Sequence, residues 1–358
     1  MIANQNFKNE TLETIIAEQL KPFVRKVDEE AYYAKEYLQK LGKAGFFSSQ
    51  HVPIHELLEK EAKLVEETAT YCMTTAFNLW CHLAALTYVR NSKNAYLQDN
   101  LLPKLENGEV LGGTGLSNPM KYYAGLEKLH LKAKRTSEGY IVSGTLPAVS
   151  NLAESHWFGL VAEVNEKERI MAIVPCNAAG LRLKEKKHFL GLNGSATYAC
   201  QFYDVLIPEQ WVIAEDADSF VESIRSSFVY YQIPLGFGVT AASIDSIKHV
   251  RNRQNGSNRY LPIQPEELEK DLTNLQSRAK QIVKEQKDLQ QAWMDIVNIR
   301  LDTVYLTTKA IHANMLHAGG AAYIKKSDPA RRMRESYFLV NLSPTVRHLE
   351  KMVAEQGQ

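Results

Sequence analysis

Apolar residues near the N-terminus recur with the spacing of amphipathic helices. Over residues 10–45 they follow a period of 3.6, which predicts helix, and Pro22 is expected to bend or break that helix. Residues 55–90 form a second helical stretch, and residues 97–105 a short helix that ends at a turn signal, Asn107-Gly108. The first part of the chain is therefore predicted to be all helical.

The pattern changes at Val110. Segments become short and alternate apolar and polar positions at period two, with Gly, Pro and Asn between them, which is typical of β-strands. This pattern predicts an all-β segment. Its strands are expected at residues 129–135, 139–143, 157–164, 170–174, 181–186, 196–202 and 211–212.

Helical spacing returns at residue 219 and continues to the end. The stretch 266–305 is longer than a typical globular helix, so a break is expected within it; residues 307–316 are predicted to form a further helix. The three regions predict domains at 1–109, 110–213 and 214–358. The order helix, strand, helix indicates an α+β fold and not the βαβ alternation of a nucleotide-binding sheet.

Composition and charge narrow the function. The 358 residues have a net charge of +1, so the chain lacks the excess of basic residues that would indicate nucleic-acid binding. No apolar run reaches the roughly 18 residues of a membrane span, and the polar start argues against a signal segment. Four cysteines without metal-ligand spacing favour a reduced, cytoplasmic setting and no metal site.

Several motifs occur in an order and spacing known from one family. They are Gly115-Leu116-Ser117-Asn118-Pro119, Ala148-Val149-Ser150-Asn151-Leu152, Gly191-Leu192-Asn193-Gly194-Ser195 and residues 202–208. Along nearly its whole length the chain resembles the acyl-CoA dehydrogenase family. That resemblance implies an N-terminal helical domain, a central β-barrel or sandwich domain and a C-terminal helical bundle.

The resemblance also implies a flavin, normally FAD, in a cleft between the β domain and the bundle. The residues that match flavin contacts are Thr114, Leu116, Ser117, Ala148, Ser150 and Ser343. Arg253 matches an element that reaches the cofactor of a neighbouring subunit, and Gly319 and Gly320 match a pair that lets the backbone approach the adenosine diphosphate part of the cofactor. A flavin's polar edge needs hydrogen-bonding groups at fixed positions, which Ser117 and Ser150 provide. At Ala148 the aromatic residue usual in the family is absent. Tyr122 and Tyr123 replace a pyrophosphate-binding segment and would block CoA entry or reshape the site.

The family's usual catalytic carboxylate is missing. Its position falls on Asn341 or Ser343, and an alternative position on the helix near residues 226–231 also lacks an acid. Removing a proton next to a thioester requires a positioned base, which neither Asn nor Ser supplies at pH 7. The nearest candidates are Glu222 and Glu335. Three histidines come into consideration: His82 as a core residue, and His317 and His348 as a base or proton donor.

Several functions stay open. The leading one is α,β-dehydrogenation of an acyl-CoA by a flavin-dependent oxidoreductase, with an electron-transfer flavoprotein as a possible partner. The first alternative is a monooxygenase that uses O₂ and FMN or free reduced flavin from a flavin reductase, and needs no α-proton base. The second is a non-catalytic member of the family. The resemblance implies a homodimer or homotetramer in each case.

Overall fold

The computed structural model describes residues 11–285 and 289–356. In this part of the chain helices precede and follow a β-rich segment, in agreement with the predicted α+β order. The helices are α1 Leu12–Gln19, α2 Val24–Glu29, α3 Lys35–Lys43, α4 Ile54–Tyr71, α5 Met73–Asn91, α6 Leu102–Glu106, α7 Ser117–Tyr123, α8 Ala217–Tyr230, α9 Ile233–Val250, the single turn α10 Arg253–Gly256, α11 Pro265–Glu285, α12 Trp293–Ala318, α13 Asp328–Ser336 and α14 Val346–Gln356.

One helix break lies at a proline, as the sequence predicts, and another occurs where neither Gly nor Pro signals it. Pro22 lies in a 3₁₀ turn, Lys21–Phe23, that separates α1 from α2, as predicted. The stretch 55–90, predicted as one helix, is divided at Cys72, whose backbone is extended (φ −151°, ψ 106°). In the long C-terminal stretch the 3₁₀ turn Leu289–Ala292 precedes α12 and confirms the expected break. The helix predicted at 307–316 continues α12.

Eight strands form one sheet: β1 Gly112–Thr114, β2 Leu131–Thr136, β3 Gly139–Val149, β4 Trp157–Glu163, β5 Arg169–Pro175, β6 Leu181–Glu185, β7 Tyr198–Pro208 and β8 Val212–Ala214. Their order is β6-β7-β3-β2-β4-β5-β8, with β1 paired in parallel to β4. Phe158 on β4 and Phe202 on β7 contact at 6.1 Å between ring centroids. In a flat sheet three strand spacings would hold them about 14 Å apart, so the sheet curls around its own core.

A helix interrupts the segment that was predicted to be all β. Residues 117–123 form α7 directly after β1, and the prediction was wrong there. Its signal is Pro119 close to the helix start, where a fixed φ and a missing N–H are tolerated. The side chain of Asn118 anchors the helix, accepting from the His130 backbone N–H (2.9 Å) and donating to the Lys128 carbonyl (2.9 Å).

Helix α5 lies between the sheet and the C-terminal helices. Its residues from Met73 to Val89 are all buried, as expected for a helix that is apolar around its circumference. It approaches β1 so closely that a Cβ on Gly112 would lie 2.3 Å from the Ala85 Cβ. This contact fixes α5 against the strand that ends at Thr114, and so positions one wall of the site.

Candidate flavin site

A cavity of about 370 Å³ opens between the sheet, α5, α8 and the residues that follow α13. This volume lies within the usual range of small-ligand sites. The lining residues are Phe77, Trp80, Cys81, Thr114, Ser117, Ala148, Ser150, Phe189, Leu190, Gly191, Leu192, Ser195, Thr197, Phe228, Arg334, Tyr337, Phe338, Asn341, Leu342 and Ser343.

Hydroxyl groups from the ends of several strands line one side of the cavity. Ser150 Oγ and Ser195 Oγ each lie 2.7 Å from Thr197 Oγ1. Thr114 Oγ1 lies 2.6 Å from the Tyr88 hydroxyl. Each hydroxyl has one donor and two acceptor positions, so these contacts leave capacity for a ligand.

Ser150 is held in place by its neighbour Asn151. The backbone of Asn151 has φ +63°, a conformation that Asn tolerates better than most residues. Its buried side chain accepts from the Tyr33 hydroxyl (2.7 Å) and from Asn78 Nδ2 (3.1 Å), and donates to the Gly112 carbonyl (2.7 Å). These bonds tie the end of β3 to α5 and β1, and thereby fix the Ser150 hydroxyl at the cavity.

Aromatic rings form another part of the cavity wall. Phe77 and Trp80 on α5 are stacked with centroids 5.6 Å apart, Phe228 on α8 meets Trp80 edge-on at 5.0 Å, and Phe338 meets Phe77 edge-on at 5.0 Å. Trp80 Nε1 donates to the Phe228 carbonyl at 3.1 Å. Rings in contact at such angles hold a rigid apolar surface.

Ser117 and Ser343 meet at the cavity, with their Oγ atoms 2.8 Å apart. Ser117 comes from the start of α7 and Ser343 from the loop after α13. The backbone carbonyl of Ser343 accepts from Gln232 Nε2 at 2.9 Å. The loop that carries Ser343 is therefore held from inside the bundle.

The cavity fits the ring system of a flavin. Aromatic and aliphatic side chains can enclose a flat heterocycle, while hydroxyl groups face its polar edges, an arrangement common in cofactor sites. Thr114, Ser117 and Ser150 would hold the ring. A bound flavin supplies the redox chemistry, and the protein binds and orients it.

Most of the predicted cofactor residues come together here. Thr114, Ser117, Ala148, Ser150 and Ser343 all line the cavity. Leu116 is fully buried in the core between Gly115 and Ser117 and does not line it.

Three predicted residues lie elsewhere. Arg253, Gly319 and Gly320 are exposed and outside the cavity. It stays a prediction that Arg253 contacts the cofactor of a neighbouring subunit and that Gly319 and Gly320 approach the adenosine diphosphate part of the cofactor.

Among the described residues, no carboxylate lines the cavity; Asn341 and Ser343 occupy the wall where the base was sought. Glu335 is buried, but its carboxylate accepts from Arg331 Nη1 (2.8 Å) and Thr74 Oγ1 (2.8 Å). Glu222 is largely exposed beside Arg225 and lines a different cavity. Neither glutamate is placed to act as a base in the hydroxyl-lined cavity.

The three histidines are also outside it. His82 is a core residue, as predicted: its Nδ1 accepts from the Gly112 N–H at 3.0 Å, and burial lowers its pKa to about 3. His317 Nε2 lies 2.9 Å from the Ile263 carbonyl. Burial, with the nearby charges of Lys351 and Lys121, lowers the pKa of His348 to about 4, and this residue lines the other cavity.

Tyr122 and Tyr123 help to form this second cavity, of about 760 Å³, between α7, α8 and α14. The Tyr123 hydroxyl donates to Asp218 Oδ1 at 3.0 Å, and Arg169 donates to the Tyr122 hydroxyl at 3.3 Å. The tyrosines thus join the β domain to α8. They leave a wide opening beside them.

Sequence reasoning missed the aromatic wall. The helical pattern around Phe77 and Trp80 predicts only buried residues, and no motif marks Phe228 or Phe338 as part of a cofactor site. Thr197, which joins two of the site hydroxyls, was also missed. Periodicity marks such residues as buried but does not distinguish a core contact from a cavity wall.

No cluster of three or more metal-ligating side chains occurs within residues 11–285 and 289–356. Over the same residues, no helix combines the length and apolar character that crossing a bilayer requires.

Comparison with known proteins gives related sequences. No family model matches the chain. Over 219 residues it is 22% identical to the short-chain-specific acyl-CoA dehydrogenase of Clostridium acetobutylicum, covering 58% of this chain and 57% of that protein. Over 215 residues it is 25% identical to the mitochondrial isobutyryl-CoA dehydrogenase of Dictyostelium discoideum, covering 57% and 50%. The chain thus spans just over half the length of these relatives.

Solved structures show the same fold over nearly the whole chain. Butyryl-CoA dehydrogenase from Megasphaera elsdenii aligns with a TM-score of 0.86 at 14% identity, covering 99% of each chain. PigA with FAD and proline aligns at 0.78 and 16%, covering 99% and 98%. KijD3, in complex with FMN and a dTDP-linked amino sugar, aligns at 0.77 and 16%, covering 97% and 92%. These alignments confirm the predicted fold.

Proposed function

Because the chain belongs to the acyl-CoA dehydrogenase family, we propose that it is a flavin-dependent enzyme. We further propose that it oxygenates its substrate with reduced flavin and O₂ and does not dehydrogenate an acyl-CoA. The observation that carries the proposal is the composition of the hydroxyl-lined cavity, which has no carboxylate or histidine among its described lining residues.

Dehydrogenation next to a thioester requires a base within hydrogen-bond reach of the substrate carbon. The titratable side chains on the cavity wall are Cys81, Arg334 and Tyr337. Arg334 is ion-paired with Asp28, and burial raises the pKa of the Cys81 thiol well above its ordinary value. Tyr337 is largely exposed (55%). None of the three side chains is a carboxylate or an imidazole, the groups that most often serve as general bases. Oxygenation by reduced flavin does not require removal of a proton from carbon.

The protein's own residues have defined tasks in this proposal. Ser117, Ser150 and Thr114 orient the polar edges of the ring. Phe77, Trp80 and Phe228 exclude water from the apolar side. Excluding water favours reaction of O₂ with the substrate, because water would otherwise take part in side reactions in the site.

Dehydrogenation is the second candidate, since the curated relatives are named as acyl-CoA dehydrogenases. For that reaction an acyl-CoA and an electron-transfer flavoprotein would be the partners. Fold alone does not decide between the two, because one scaffold hosts different reactions. KijD3, for example, binds FMN and a nucleotide sugar on this fold.

The cofactor is FAD or FMN, and the active form is a homodimer or homotetramer under this proposal. PigA holds FAD and KijD3 holds FMN. Tyr323 and Ile324 are consecutive and exposed, and we propose them as a point of contact with another chain.

The proposal is tested with chemically reduced flavin, so that no partner reductase is required. Protein is mixed anaerobically with reduced FMN or FAD and a panel of acyl thioesters and nucleotide sugars, then exposed to isotopically labelled O₂. The expected result is labelled oxygen in a product only when protein is present. Labelled product that forms equally without protein, or an unsaturated product from oxidised flavin, would overturn the proposal. The matched control is flavin with heat-unfolded protein.

A further inference from the structure

Arg300 on α12 is the largest fully buried side chain of the structure's described part, and it has no acidic partner there. Its Nε donates to Gln232 Oε1 (3.0 Å) and one Nη donates to the Leu339 carbonyl (3.0 Å). The other, Nη1, is buried and has no hydrogen-bond partner. A buried cation held only by neutral groups is costly, which suggests a role beyond packing.

A continuous hydrogen-bond path leads from this cation to the cavity. Arg300 donates to the Gln232 amide oxygen, and the Gln232 amide nitrogen donates to the Ser343 carbonyl at 2.9 Å. Ser343 Oγ then contacts Ser117 Oγ at 2.8 Å. Both serines line the cavity. The path therefore fixes the two hydroxyls that face the predicted flavin.

The guanidinium also contacts the segment that forms the wall. Leu339, whose carbonyl it binds, lies directly after Phe338 and shortly before Asn341, and both neighbours line the cavity. Burial lowers the pKa of Arg300 to about 9. It is therefore still protonated at neutral pH, and its charge lies behind the cavity wall with no carboxylate to cancel it.

We propose that Arg300, acting through Gln232, is a positioning residue of the flavin cavity whose uncancelled charge favours an anionic ligand over a neutral one. The ligand class is the anionic, reduced form of a flavin, because the oxidised ring is neutral. Protein charges near a flavin ring tune its electronic state in this way. The inference rests on the proposed function and refines it by naming the flavin form that the site selects.

The identity of residue 232 supports this role. A glutamate there would neutralise Arg300 and lower the cost of its burial. A glutamate could not, however, donate to the Ser343 carbonyl. Glutamine retains both the donor and the positive charge, which suits a site that must hold the loop and attract an anion.

The test compares dissociation constants for oxidised and reduced FMN and FAD, measured anaerobically by quenching of tryptophan fluorescence. Gln232→Glu places a negative charge next to Arg300, and the preference for reduced over oxidised flavin is expected to fall about tenfold, as a charge pair at moderate effective dielectric constant implies. Gln232→Leu removes the hydrogen bonds but keeps the charge. This variant is expected to weaken the binding of oxidised and reduced flavin by a similar factor, so that the ratio of the two dissociation constants stays unchanged.

Arg300→Gln removes the positive charge itself and provides a second test should Gln232→Glu fail to fold. The preference for reduced over oxidised flavin is expected to fall in this variant as well. Thermal unfolding of each variant verifies the fold. An unchanged ratio in Gln232→Glu or Arg300→Gln, in a wild-type protein that binds flavin, would overturn the inference and leave the proposed function standing. Wild-type protein that binds neither flavin form would overturn both.

Discussion

Ser343 is the residue on which the chemistry of the cavity depends. A hydroxyl at this position hydrogen-bonds Ser117 (2.8 Å) but does not accept a proton from carbon at neutral pH. The nearby loop is held by Gln232 and Arg300, and neither brings a carboxylate. At this scale the proposed role of the cavity is to bind and orient a ring, and no described lining residue supplies the carboxylate that dehydrogenation requires.

The hydroxyl contacts lead to a prediction for flavin affinity. Ser117→Ala and Ser150→Ala each remove one hydrogen-bonding group that faces the ring. A hydrogen bond of this kind contributes about 0.5–1.5 kcal/mol, so each variant is expected to weaken flavin binding about two- to tenfold. Fluorescence titration with FMN and FAD measures the change.

Ser143→Ala is the matched control for this pair. Ser143 lies on β3, the strand that precedes Ser150, but its hydroxyl donates to the exposed Asp204 (2.6 Å) and not toward the cavity. Its affinity for flavin should equal that of the wild type. If Ser117→Ala and Ser150→Ala both behaved like the control, the hydroxyl-lined cavity would not be the flavin site.

The two glutamates considered as relocated bases give a second prediction. Glu335→Gln removes the closer carboxylate partner of the buried Arg331 guanidinium (2.8 Å) and leaves only the exposed Asp328 at 3.4 Å. This change is expected to lower the free energy of unfolding by about 3 kcal/mol, the lower end for breaking a buried pair. Glu222→Gln removes an exposed pair with Arg225 and should change stability by less than about 1 kcal/mol. Urea denaturation measures the free energy of unfolding of both variants and of the wild type. A stable Glu335→Gln protein would contradict the structural role assigned to Glu335.

At the scale of elements, the aromatic contact between α5 and α8 closes the cavity. Trp80→Phe retains a ring but removes the bond from Trp80 Nε1 to the Phe228 carbonyl. It is expected to destabilise the protein by about 1 kcal/mol, the typical value of one hydrogen bond. Trp211→Phe, at a half-buried position in the sheet region, serves as control. Equal effects of the two substitutions in denaturant unfolding would show that the Trp80 bond does not join the helices.

The sequence pattern predicted most of these elements, since long periodic helices and alternating strands bury one face each. It did not predict the break at Cys72, because neither Gly nor Pro marks it. It also missed α7, where Asn118 side-chain bonds to residues 128 and 130 stabilise a helix within a β-rich segment. Helix α7 therefore depends on contacts 10 and 12 residues away along the chain, which local periodicity does not reveal.

The same distinction holds for the site. Ser117, Ser150 and Ser343 could be predicted because they lie in motifs with a known order. Arg300 and Gln232 could not, because nothing in their own segments indicates that they meet. Their pairing with the loop around Ser343 exists only once α12, α9 and the C-terminal loop have packed together.

For the whole molecule, buried neutral histidines predict loss of stability in acid. Burial lowers the pKa of His82 to about 3 and that of His156 to about 4, from 6.5. Below pH 6.5 the unfolded chain binds protons that the folded protein does not, so the free energy of unfolding falls as the pH decreases toward 4. Each histidine contributes up to about 1.4 kcal/mol per pH unit. Urea titrations between pH 7 and pH 5 measure the slope.

His82→Asn tests the origin of that slope, because asparagine can still accept from the Gly112 N–H but does not titrate. The variant should lose stability less steeply in acid than the wild type. His130→Asn, at an exposed position, should retain the wild-type slope. A slope unaffected by His82→Asn would contradict the assignment of acid sensitivity to this histidine.

The central claim is that this fold encloses a flavin beside a wall that has no base. Its most direct test is the visible absorbance of flavin-loaded protein, recorded anaerobically before and after addition of a panel of acyl-CoA thioesters. The bands of the oxidised flavin are expected to persist with every thioester, because no carboxylate among the described lining residues is placed to remove the α-proton. Bleaching by any one of the thioesters would contradict the central claim and show that a base operates in the cavity.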